Sequence, residues 1–169
     1  MSHTVLSKPP SYDRNSGQRP HPLVVRLADW LNAHSITLLR ISLGLTFLVF
    51  GALKFVPGLS PAEDLAVATI ERLTFGIVAG PAALLLTALT ETFIGLTLLT
   101  GRFVKLGVFV MAGALVGILS PLVLFAGQLY GHGPTLTAQY VFKDIVLAAG
   151  GLVVAAHAFG GRIRSDRDA

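Results

Sequence analysis

The stretch "AQYVFKDIVLAAGGLVVAAHAF", residues 138–159, is apolar over most of its length yet contains Lys143, Asp144 and His157. With 22 residues it can cross a hydrocarbon core of about 30 Å as a helix. Charges at such a position are costly to insert and usually face a partner or a cavity. Three further runs resemble it, at about 36–56 ("ITLLRISLGLTFLVFGALKFV"), 77–100 and 103–127, and the quoted run extends over 138–160.

Composition agrees with four membrane spans. The 169-residue chain is 53% hydrophobic and only 13% charged, whereas a soluble domain carries about a quarter charged residues. Mean hydropathy is +0.70. Eleven of the 22 charged residues lie before residue 36 or after residue 160. The runs do not alternate polar with apolar residues, which disfavours a β-barrel. The fold class expected is all-α: a polytopic four-transmembrane-helix bundle with short interfacial helices.

Basic residues orient the spans. Lys8, Arg14, Arg19 and Arg26 precede the first, Arg102 and Lys105 follow the second, and Arg162, Arg164 and Arg167 follow the fourth. The other two connections carry Arg72 against Glu63, Asp64 and Glu71. All three basic segments then fall on one side, so both termini are expected in the cytoplasm. The pI of 9.9 restates this asymmetry. It favours contact with anionic lipid headgroups over nucleic acid.

Outside the spans, residues 1–22 are rich in Pro, Ser and Arg and read as a disordered cytoplasmic tail. They lack the pattern of a cleaved signal peptide. Residues 23–34 place Leu23, Leu27, Trp30 and Leu31 on one helical face, as an interfacial amphipathic helix does. Ser35 would then cap the first span, within a membrane domain covering 36–160 and followed by a tail at 161–169. In "SPAEDLAVATIERL", Ser60 as N-cap, Pro61 and two early acids signal a surface helix over 61–73.

The ionisable residues within the spans are Arg40, Lys54, Glu91, Lys143, Asp144 and His157. Arg40 and Lys54 are fourteen residues apart, as are Lys143 and His157, so each pair shares a helix face. Gly44, Phe47 and Gly51 fill the first face, and small residues let helices approach. Counting from the helix ends puts Lys54 level with Asp144, in a polar cluster with Lys143. The same count leaves Glu91 within reach of Arg40. These pairs could serve chemistry or merely orient the helices.

In span three, Gly113 and Gly117 have the spacing of a helix-packing motif, and Pro121 should kink or relax the outer turns. The absence of cysteine excludes thiol chemistry on this chain. His132 and Tyr130 in the last connection do not form a metal motif. Haem is disfavoured because His157 has no second ligand at its depth.

"RISLGLTFLVFGALKF", "ETFIGLTLLTGR" and "VFKDIVLAAGGLVV" together resemble the DoxX family of bacterial membrane proteins over about residues 36–156. The resemblance carries onto Arg40, Gly51, Lys54, Glu91, Gly95, Lys143 and Asp144. It implies a four-helix bundle of the bacterial inner membrane, associated with quinone-linked respiratory chemistry of the DoxD thiosulfate:quinone oxidoreductase type, or an accessory role.

Three function classes are compatible with these residues. The first is a small subunit or accessory protein of a redox complex that contacts quinone. There Glu91, Arg40 and Lys143 are the candidates for chemistry, and Arg40, Gly44 and Glu91 for holding the head group. The others are a non-catalytic assembly or docking protein, and a small transporter or channel. All three imply the bilayer and either other membrane subunits or a homo-oligomer as partners. Reporter fusions at Leu59 and at the C-terminus should report opposite sides of the membrane; the same side from both would refute the charge argument.

Overall fold

A computed structural model describes residues 21–131 and 133–161; His132 and nearly all of both expected tails lie outside them. The elements are α1 (Pro22–Leu53), α2 (Glu63–Leu73), α3 (Gly80–Thr100), α4 (Val104–Leu119), α5 (Pro121–Leu124), α6 (Ala126–Tyr130) and α7 (Leu136–Ala158). No strand occurs among the described residues. Four stretches are long and apolar enough to cross a membrane: Pro22–Leu53, Gly80–Thr100, Val104–Leu124 and Leu136–Ala158. The protein is an all-α polytopic membrane protein.

Local chemistry sets most boundaries. The expected break at Ser35 is absent, because α1 is helical from Pro22 to Leu53. No proline or glycine lies between Leu23 and Leu43 to interrupt it, and a serine is tolerated within a helix. Ser60 is not the cap of α2 either. Its hydroxyl is buried without a hydrogen bond, and α2 begins after Ala62 with no side-chain cap. Instead the Glu63 carboxylate accepts the N–H of Gly58 at 2.7 Å.

Span two starts three residues later than expected. The Thr74 hydroxyl donates to Ile70 O at 2.8 Å and accepts from Val78 N–H at 3.1 Å, organising the connection into a turn. Pro121 breaks span three into α4 and α5, as its missing N–H requires. The Gly117 carbonyl that this N–H would have served accepts the Ser120 hydroxyl instead, at 2.7 Å. Thr135 caps α7, accepting from Ala138 N–H at 3.1 Å.

From residue 34 onward the helices form an antiparallel ring. α3 packs on α4 and α4 on α7, while Gly150 of α7 meets Leu39 and Leu43 of α1. The core consists of Leu43, Phe47, Ile94, Leu98, Val108, Met111, Leu115 and Val154. α2 packs against α3, α4 and α5.

Glycines fix the register of α1 on α3. Gly44 meets Leu98 and Leu99, Gly95 meets the backbone of Leu48, and Gly51 meets Glu91 and Thr92. At this register Leu53 comes level with residue 89 or 90. The first ten or so residues of α3, about 14 Å of helix, therefore extend past the end of α1. The glycines of span three differ: a Cβ on Gly113 or Gly117 would meet nothing within 4 Å. The packing inferred from their spacing is not made among the described residues.

A Cβ on Gly95 would lie 2.7 Å from Leu48 Cα, a backbone atom that can move only with its helix. Gly95→Ala should lower stability by about 1–3 kcal/mol, and Gly113→Ala should not lower it. Thermal melts of both variants in the same detergent check this, and equal melting points would contradict the close approach.

Candidate functional site

Lys54 is the first residue beyond α1, and its side chain folds back along the helix. Its Nζ donates to Glu91 Oε2 at 2.7 Å and to the carbonyl of Phe50 at 3.3 Å. The two side chains are only 5% and 8% exposed. Gly51 makes the contact possible, since any side chain there would strike Thr92 and the Cβ of Glu91. A charge-assisted bond of this length is strong. Desolvating both ions costs several kcal/mol each, so the pair adds little net stability while making either partner alone very costly. Beside it, the Thr92 hydroxyl is buried with no hydrogen-bond partner.

The neighbouring charges of the opening stretch separate. Successive residues on a helix point about 100° apart. Asp144 is half-buried on the stripe that carries the buried Ala138, Val141, Gly151 and Val154. Lys143 is exposed, with its Nζ 4.0 Å from the centre of the Tyr140 ring. The expected Lys54–Asp144 ion pair is not formed; Lys54 pairs with Glu91. Gly150 sits beside Leu39 and Leu43, which puts Asp144 one to two turns along the bundle from Lys54.

Arg40 does not reach Glu91. Its guanidinium lies against Gly101, where a Cβ would come within 2.5 Å of Nη1. Ten residues, about 15 Å of helix, separate Gly101 from Glu91. The count from helix ends failed because α1 stops level with the middle of α3, so Lys54 rather than Arg40 shares Glu91's depth. Gly44, a candidate for holding a head group, is occupied by packing against Leu98 and Leu99. The signal that could have found the pair is the register implied by Gly44, Gly51 and Gly95.

Two grooves flank these residues. One, of about 560 Å³, is lined by Tyr130, Pro134, Gln139, Tyr140, Phe142 and Lys143 among others. The second, of about 750 Å³, contains Arg40 and His157. Among the described residues, no group of three or more His, Asp or Glu side chains is placed to hold a metal ion.

Residues 35–128 match the family model described as DoxX. The match includes Arg40, Lys54 and Glu91 and ends before Lys143 and Asp144. No curated protein and no solved structure matches the chain.

Glu91→Gln should leave the Lys54 ammonium buried without its counter-charge and lower stability by about 3–5 kcal/mol. The double variant Lys54→Met/Glu91→Leu should recover most of that loss, because neither ion then has to be buried. Denaturation of the three proteins in one detergent measures both effects, and a Glu91→Gln protein as stable as wild type would contradict the pair.

Proposed function

Because the chain belongs to the DoxX family, we propose that it is a small integral subunit or accessory protein of a redox complex in a bacterial cytoplasmic membrane, contacting a quinone through the groove at Lys143. The observation that carries this reading is the buried Lys54–Glu91 pair, with the half-buried Asp144 adjacent in sequence to Lys143 on the wall of that groove.

The lining fits such a head group. Tyr140 and Phe142 supply flat apolar walls, while Gln139 and Tyr130 supply hydrogen-bonding groups. The Lys143 ammonium is a cation suited to a carbonyl oxygen. A volume of about 560 Å³ lies within the range of small-molecule sites. A quinone would supply a two-electron, two-proton acceptor, with the electrons arriving from a partner subunit that carries the donor.

The chain's own acids would handle protons. Asp144, half-buried and adjacent to Lys143, would pass protons from the groove towards the buried pair, and Glu91 would take up or release a proton while Lys54 holds its position. The orphaned Thr92 hydroxyl beside them suits a water molecule continuing that path. Arg40, at the opposite end of α1's packing on α3, takes no part.

The test is photolabelling of the protein in mild detergent with an azido derivative of a short-chain ubiquinone, followed by peptide mapping. Label should fall on residues 130–143. Lys143→Met should weaken competition by unlabelled quinone roughly tenfold, the loss of one charge-assisted hydrogen bond of about 1.5 kcal/mol. Label confined to other segments, or competition untouched by Lys143→Met, would overturn the proposal.

A further inference from the structure

The second groove lies at the other end of the bundle and is independent of the quinone reading. It is bounded by α1, the turn between α3 and α4, and α7. Arg40, Lys105, His157 and Thr37 line it, with Val104 and Val154 on its apolar walls. Three elements far apart in sequence each bring one nitrogen-bearing group to this place.

No acid accompanies them. None of the lining residues is Asp or Glu. The sequence holds no acid between Ser35 and Ala62, between Thr92 and Lys143, or between Ile145 and Gly161. Arg40 is half-buried, yet among the described residues it has no hydrogen-bond or ion-pair partner. Lys105 and His157 have none there either. The carbonyl end of α3 near Gly101 offers Arg40 partial negative charge, which falls short of a full counter-charge. A cation at a membrane span needs one, and none of the described residues lining the groove supplies it.

Position says what could bring it. The turn at Gly101–Phe103 joins two spans, so Arg40 and Lys105 stand at the depth where a helix leaves hydrocarbon for the headgroup layer. Phe103, at the groove's edge, is 76% exposed, as suits a ring seated at that interface. We propose that this groove binds the phosphate of an anionic phospholipid headgroup, with Arg40 and Lys105 on the phosphate oxygens, His157 and Thr37 as further hydrogen-bonding groups, and the acyl chains against Val104 and Val154. Basic pockets between membrane helices hold such headgroups elsewhere.

The test uses the full chain purified in a neutral detergent and titrated with phosphatidylglycerol, phosphatidylcholine or inorganic phosphate, with native mass spectrometry and melting temperature as readouts. Phosphatidylglycerol should bind and raise the melting temperature, and the other two should not at matching concentrations. Lys105→Gln, an exposed change that does not threaten folding, should weaken phosphatidylglycerol roughly fivefold, and Arg40→Gln/Lys105→Gln roughly thirtyfold. Arg72→Gln, in the last turn of α2, should leave its affinity unchanged. Equal binding of phosphatidylcholine, or wild-type affinity in the Lys105→Gln protein, would overturn the site. Stabilisation by inorganic phosphate alone would overturn its assignment to a lipid.

Discussion

In a bilayer, apolar side chains gain little by leaving lipid for one another, so helices hold together through close contact and polar bonds. The approach of α1 to α3 supplies both. Gly95 lies against the backbone of Leu48, and Gly51 lies against Glu91 and Thr92. Those two points leave one register, and that register delivers Lys54 to Glu91 at 2.7 Å. A slip of one residue would rotate Glu91 by about 100° and strand two charges in an apolar setting. The pair's contribution is therefore specificity of register more than net stability.

From that register follows the form of one half of the bundle. Since α1 ends level with the middle of α3, the first turns of α3 need another neighbour, and α2 packs there. The buried Thr69 of α2 donates its hydroxyl to Leu65 O at 2.6 Å, so the face it presents carries no free donor. Pro121 stops α4 and lets α5 meet both α2 and α7. An early end to one span, a surface helix and a proline break are thus parts of one packing solution.

The sequence made the elements legible and the partners much less so. Four apolar runs, Pro121 and the acids opening α2 act through local rules, and each yields its element, although α1 runs on without the break expected at Ser35 and α3 starts later than expected. Counting from helix ends misplaces Lys54 relative to Glu91, because it treats all spans as equally long in the bundle. Gly113 and Gly117 have the spacing of a helix-packing motif but face open space. A glycine's own sequence context cannot distinguish a helix partner from lipid. Ser60 fails for a related reason: a cap depends on backbone geometry, and burial of its hydroxyl took it away from α2. The burial of Glu91 was readable, because an acid in the middle of a long apolar run has few other places to go.

The chain meets the cost of membrane-embedded charge in two ways at its two ends. Where α1 finishes, Lys54 has Glu91 in contact and Asp144 nearby, so neutralisation is internal and the side chains can be dry. Where α3 turns into α4, none of the described residues lining the groove with Arg40 and Lys105 is an acid, and both cations remain partly or fully exposed. The difference is physical necessity, since an ion without a counter-charge cannot be drawn far from water or from lipid phosphate. The first arrangement holds regardless of the surrounding lipid. On the proposed lipid site, the second would draw its counter-charge from the surroundings, so membrane composition would bear on one end of the bundle and leave the Lys54–Glu91 pair unaffected.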